Sequence, residues 1–188
     1  MACLMNKLFK ALSCLLIIGF GSSLQANDQP NVIVILADDL GYGDVGYHGC
    51  KDIPTPHIDS IAHAGASFTA AYSAAPVCGP SRAGLLSGKY QNRFGYQDNI
   101  GPFGKSKDIE LGTPLDIKLM PDYFNDLGYQ TAMIGKWHDG DDYKFWPHQR
   151  GFDESYCFNN GAANNYIGKE NGTTDVWGSI HKNGKRLS

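Results

Sequence analysis

The chain predicts an α/β fold, with a mostly parallel sheet flanked by helices. Three observations carry this. Residues 31–37 (NVIVILA) form an aliphatic, β-branched run without alternation, as a strand buried on both faces requires. Apolar runs then alternate with helical stretches along the chain, the order of a parallel sheet with crossover helices. Finally, charged residues follow two of the predicted strands directly: Asp38-Asp39 after the first, and Lys136 and His138 after the second. In folds of this class ligands bind beyond the carboxyl ends of the strands.

In chain order, the first strand stops at Asp38-Asp39, and Gly41, Gly43 and Gly46 make the next segment a loop. A helix is expected from Pro56, with Thr55 as N-cap, an apolar face of Ile58, Ile61 and Ala62, and an end at Gly65. Residues 68–72 read as a short extended piece. Pro80 suits the first turn of a second helix running to Leu86. Residues 101–113 read as a loop, and residues 119–127 as an amphipathic helix stopped by Gly128. Residues 130–134 form the second strand, followed by a loop holding Lys136 and His138.

At 188 residues the chain is long enough for one domain with a core. Its net charge of −3, with 19% charged and 42% hydrophobic residues, excludes the basic signature of a nucleic-acid binder. Residues 1–26 read as a signal peptide: Lys7 and Lys10 precede an apolar stretch over residues 11–20, with a cleavage point after Ala26. That stretch is short for a stable membrane span. Export to a periplasmic or extracellular space is expected, or to the lysosomal and secretory route in a eukaryote. Removal of the leader leaves Cys50, Cys78 and Cys157. An odd count marks one cysteine with another task, and Cys78 is the candidate. Cys50 and Cys157 are free to pair or to stay reduced. Asn171-Gly172-Thr173 fits a glycosylation sequon and equally a polar turn.

Taken alone, each chemical feature has two readings. Asp38 and Asp39 suit a hard divalent cation, or a turn. Cys78 is a buried small hydrophobe, or a thiol activated at a helix N-terminus. Arg82 carries a donor fork suited to oxyanions. Lys136 and His138 are common loop residues, although histidine is the side chain best poised for proton transfer near neutral pH. His48, His57, His63, His148 and His181 receive no role.

Four segments in order change the balance: Asp38-Asp39, Cys78-Gly79-Pro80-Ser81-Arg82 running on to Gly88, Gly135-Lys136-Trp137-His138, and Gly151-Phe152-Asp153. Together they resemble the N-terminal part of the type I, formylglycine-dependent sulfatases of the alkaline phosphatase-like superfamily, over residues 30–188. The resemblance implies that a maturation enzyme oxidises Cys78 to formylglycine. It implies that Asp38, Asp39 and the modified Cys78 hold a divalent metal, calcium or else magnesium. It gives Arg82 and Lys136 to the sulfate group, and places His138 near the formylglycine as a proton carrier. Trp137 and the Gly-Phe-Asp segment are expected to be structural.

The implied activity is hydrolysis of aryl or carbohydrate sulfate esters. The alternatives are a formylglycine-type phosphonate or phosphate ester hydrolase, and a non-catalytic remnant with an anion cradle. Two positions depart from the family pattern: Ser87 replaces the usual threonine, and Asp139 stands where an apolar residue is expected. The family's remaining metal ligands, an Asp-Asn pair, and a further lysine and histidine lie in its second half. No such set occurs after Asn159, so the C-terminal portion of the domain is expected to be missing. Tyr96, Asn99 and residues 101–107 are expected at the mouth of the site.

Overall fold

The computed structural model describes residues 29–99, 112–159, 161 and 180–187. The signal peptide, the sequon and most of the loop over residues 101–113 lie outside the described residues. The chain divides into two units, Met1–Leu40 and Gly41–Ser188.

In the first unit, residues 31–37 form no strand, contrary to expectation, and Ile33 and Ile35 are 82% and 81% exposed. A β-branched run states what a segment does beside a partner; the ladder needs that partner's N–H and C=O groups. Asp38 and Asp39 are exposed at its end. Asp39 adopts a left-handed backbone with φ 54°, a region where Asp and Asn are enriched among non-glycine residues.

In the second unit, α1 spans Pro56–Ala64, with Thr55 as N-cap, Pro56 at its start and Gly65 at its end, as expected. The Thr55 hydroxyl donates to Asp59 Oδ1 (2.8 Å) and accepts from the Gly46 amide (2.7 Å), while Asp59 Oδ1 also accepts from Tyr47 N–H (3.0 Å). This fastens the helix start to the 3-10 turn Gly46–His48. The expected apolar face stays open: Ile58 and Ile61 are exposed. Residues 68–72 contain a turn rather than a strand.

Helix α2 spans Cys78–Ser87, two residues longer at its start than expected, with Val77 extended at the cap and Gly88 left-handed at the end. Helix α3 spans Met120–Asp126 and follows Leu119, whose amide donates to Asp122 Oδ2 (2.8 Å).

Strand β1 spans Ala132–Lys136, so Lys136 closes the strand instead of lying in the loop beyond it. It pairs in parallel with β2, Glu154–Phe158, in register from Ala132–Glu154 to Lys136–Phe158. The ladder continues past the strands, with Trp137 and His138 amides donating to the Phe158 and Asn159 carbonyls (both 2.9 Å). Strands β3 (His181–Lys182) and β4 (Lys185–Arg186) add antiparallel to β2 in the order β1-β2-β3-β4. Asn183 and Gly184 turn this hairpin with φ 48° and 77°, the two positive angles of a type I′ turn. The parallel character thus resides in β1–β2. Among the described residues of this unit the buried hydrophobic ones are Val45, Ala83, Tyr96, Leu119, Trp137, Phe145 and Cys157. His148 is half-buried against Tyr143 and Trp146. No helix among the described residues is long and apolar enough to cross a membrane.

Candidate active site

Cys78 is the first residue of α2. The first amides of a helix lack intrahelical partners, and this end of the helix carries the positive end of its dipole. Pro80, third in the helix, has no N–H to leave unpaired there. Cys78 is half-buried, and Gly79 and Pro80 behind it are buried. Arg82 follows one turn on, on the same face as Cys78.

The sheet brings Lys136 to this helix end. Its ammonium donates to Cys78 Sγ at 3.2 Å, and its carbonyl accepts from Arg82 Nη1 at 2.6 Å. Cys78, Arg82 and Lys136 therefore form one closed set, in which the last residue of β1 is held from both sides. His138 lies two residues further, 5% exposed and left-handed at φ 54°. Its amide is held by Asn159, and its carbonyl accepts from the Tyr96 hydroxyl at 3.3 Å. A Cβ on Gly161 would lie 2.8 Å from the His138 ring, so that glycine is the residue that lets the chain pass over the imidazole.

Tyr96 and Asn99, expected at the mouth, instead brace the site internally. Asn99 Oδ1 accepts from the Gly79 amide at 2.8 Å, and a Cβ on Gly79 would meet Tyr96 Oη at 2.8 Å and the His138 carbonyl at 3.4 Å. The α2 start and the β1 end thus touch backbone to backbone, which only a small residue at position 79 permits. Burial, reinforced by Asp139 and Asp141, holds the Tyr96 phenol protonated and so a donor.

Trp137 is 1% exposed, donates Nε1–H to the Phe145 carbonyl (2.9 Å) and meets Phe152 edge-on at 5.9 Å. Asp153 accepts from the Thr131 amide (2.8 Å), and the Gly151 carbonyl accepts from the Thr131 hydroxyl (2.8 Å) and from Asn125 (2.6 Å). Trp137 and the Gly-Phe-Asp segment therefore set the position of β1. Cys50, Cys78 and Cys157 are all free thiols, and burial pushes the Cys157 thiol up to about 11.

Asp139 is only 1% exposed. Its Oδ1 accepts from the Thr113 amide (3.2 Å) and hydroxyl (2.8 Å), while Arg150 acts on it electrostatically. Desolvation outweighs these, and the carboxyl is pushed up to about 6. A group raised in the folded state stabilises the fold below its unfolded value near 3.8, and loses that contribution as pH rises through 6. Asp139→Asn, which keeps an acceptor oxygen for Thr113, is therefore expected to stabilise the protein by about 1–3 kcal/mol at pH 8 and to leave it nearly unchanged at pH 4. Urea unfolding at the two pH values checks this; an equal effect at both would contradict it. The polar set of Thr113, Asp139 and Arg150 escaped the sequence reading, whose only signal was an acid at position 139 where an apolar residue was expected.

Comparison with known proteins bears on this arrangement. Residues 30–180 match the sulfatase family model. N-acetylgalactosamine-6-sulfatase of Sus scrofa is 36% identical over 146 residues, covering 76% of this chain and 27% of that protein. An arylsulfatase of Klebsiella aerogenes is 34% identical over 168 residues, covering 86% and 35%. The crystal structure of Ps i-CgsB in complex with k-i-k-neocarrahexaose superposes with a TM-score of 0.76 at 40% identity, over 85% of this chain and 37% of that one. The chain thus spans about a quarter to a third of the length of these relatives. With the α/β fold, the motif order and the matched residues in agreement, the chain belongs to the sulfatase family.

Proposed function

We propose that the protein is a sulfuric ester hydrolase acting on a sulfated carbohydrate through a formylglycine derived from Cys78. The observation that supports this best is the Lys136 ammonium 3.2 Å from Cys78 Sγ, with Arg82 anchored on the same lysine's carbonyl. Two cations at one helix N-terminus give a sulfate group both charge and donors, and the fixed donors are in place before charge develops on the leaving oxygen. Lys136, which already donates to the atom at position 78, would hold a sulfate oxygen beside it. Arg82 keeps Lys136 in place and adds its own charge. His138, held by Asn159 and Tyr96 through its backbone, would move the proton that the reaction requires.

The residues fit the groups the family employs. Cys78 is half-buried at a helix start, so its side chain keeps some exposure to solvent. Asp38 and Asp39 offer adjacent, exposed carboxylate oxygens, the donor chemistry of calcium or magnesium. Formylglycine at position 78 would supply the oxygen nucleophile for sulfur, and the metal would lower its charge cost. The carbohydrate preference is supported by the names of the relatives, one a sulfatase of N-acetylgalactosamine and one in complex with a carrageenan-type oligosaccharide. Export through the signal peptide expected over residues 1–26 would accord with a sulfated carbohydrate substrate outside the cell.

Top-down mass spectrometry of the protein from its own host, with fragmentation across Cys78, tests the reading. A loss of about 18 Da at that residue is expected, together with release of sulfate from sulfated oligosaccharides. An unmodified Cys78, or turnover of phosphonate esters in preference to sulfate esters, would overturn it.

A further inference from the structure

We infer that Asp139 is a positioning residue of this site, its buried carboxylate pinning the left-handed turn that carries His138 to the Gly112–Thr113 segment. The inference rests on the sulfatase reading only in giving His138 its proton-carrying task. Four observations carry it. The turn is unusual in itself: His138 is a non-glycine residue at φ 54°, a conformation that persists only when its surroundings enforce it. Two bonds to Asp139 Oδ1 come from the backbone amide and the hydroxyl of one residue, Thr113, which is fully buried. Gly112 and Gly140 form an antiparallel bridge on the far side of the same turn. Arg150 grips the other end of the segment, donating to the Pro114 (3.3 Å) and Ile117 (3.0 Å) carbonyls. The segment that Asp139 holds is therefore itself fixed, and can hold the turn in return.

The choice of residue is informative. Asp139 Oδ2 is buried without a hydrogen-bond partner, so half of the carboxylate is unsatisfied. A side chain needed only for packing would be apolar here, and one needed only as an acceptor for Thr113 would be uncharged. Ionisable groups held against desolvation are concentrated where function uses the charge. The charged and titratable groups around Asp139 are Arg150, which favours its ionised form, and Tyr96, which senses its charge and donates to the His138 carbonyl. His138 itself is one peptide unit away, and Asp141 acts on the same Tyr96. Protonation of Asp139 thus alters both the clamp on Thr113 and the field at Tyr96, and both lead to His138.

The test is NMR on this chain, following the Asp139 carboxyl carbon and the His138 amide and ring resonances from about pH 5 to 8. The His138 resonances are expected to carry an inflection at the Asp139 midpoint. That inflection should vanish in Asp139→Asn while the Thr113 resonances stay near their wild-type positions. In the matured enzyme Asp139→Ala is expected to lower kcat about tenfold with KM within about twofold, and Asp139→Asn, which keeps the acceptor but not the charge, to restore only part of it and to lose the acidic limb of the profile. A wild-type His138 that does not sense the Asp139 titration would overturn the inference, as would an Asp139→Ala enzyme with unchanged kcat. Absence of any sulfate-ester turnover in the wild type would instead count against the sulfatase reading, and the NMR titration would still decide the role of Asp139.

Discussion

Cys78→Ala is expected to abolish sulfate-ester turnover, by a factor of at least about 1,000, while the fold survives. The two effects separate because Cys78 has little structural work. It is half-buried, so truncation to alanine leaves no closed cavity, and its single described hydrogen bond is accepted from Lys136. The backbone that positions the site does not depend on the thiol: Asn99 still accepts from the Gly79 amide, and Arg82 still donates to the Lys136 carbonyl. Thermal unfolding should shift by the equivalent of about 1 kcal/mol or less, as for a substitution away from core and caps. Parallel assays of turnover and unfolding check both halves. A variant that retains wild-type turnover would remove Cys78 from the chemistry; one that loses its fold would show that the thiol holds α2 to β1, a role the geometry does not give it.

Much of the site was legible because its chemistry is local in sequence. Cys78 and Arg82 are one helical turn apart, so their shared face follows from the helix alone. The placement of Lys136 against Cys78 is long-range, and only its position after a predicted strand hinted at it. The start of α1 was read correctly, since Thr55, Pro56 and Gly65 each act on their own backbone. The start of α2 was placed two residues late because proline is tolerated anywhere in the first turn, where amides have no intrahelical partner. What failed was of another kind. The runs at residues 31–37 and at Ile58 and Ile61 announce faces that favour burial, but pattern alone does not name the surface that covers them. Strand β2 was missed altogether. Its sequence, ESYCF, mixes polar and apolar residues, and its strand character comes from the ladder with β1. Asp139 was visible only as a departure from pattern; its burial and its grip on Thr113, 26 residues away, belong to tertiary structure.

Trp137→Ala is expected to destabilise the second unit by about 3–5 kcal/mol, the range for emptying a large aromatic site in a packed core. The indole stands where three pieces meet. Its Nε1–H donates to the Phe145 carbonyl, its ring receives Phe152 at 89°, and its backbone extends the β1–β2 ladder by a bond to Phe158. Phe145 is fully buried, and it lies so close to Gly112 that a Cβ there would stand 2.5 Å from its ring. Collapse into the cavity would therefore disturb the segment that Asp139 also grips. Trp137→Phe, which keeps an aromatic ring but loses the donor, should cost less, about 1–3 kcal/mol, mainly through the Phe145 carbonyl left without its partner. Because Trp137 lies between Lys136 and His138, the same substitution should loosen both site residues. Alkylation of Cys78 in the unmatured chain reports this without any assay of turnover: once the Lys136 ammonium no longer rests on the thiol, its rate should depart from the wild-type value. Urea unfolding that shifts by less than about 1 kcal/mol in Trp137→Ala, with Cys78 alkylation unchanged, would mean that β1 is held in place by its pairing with β2 alone.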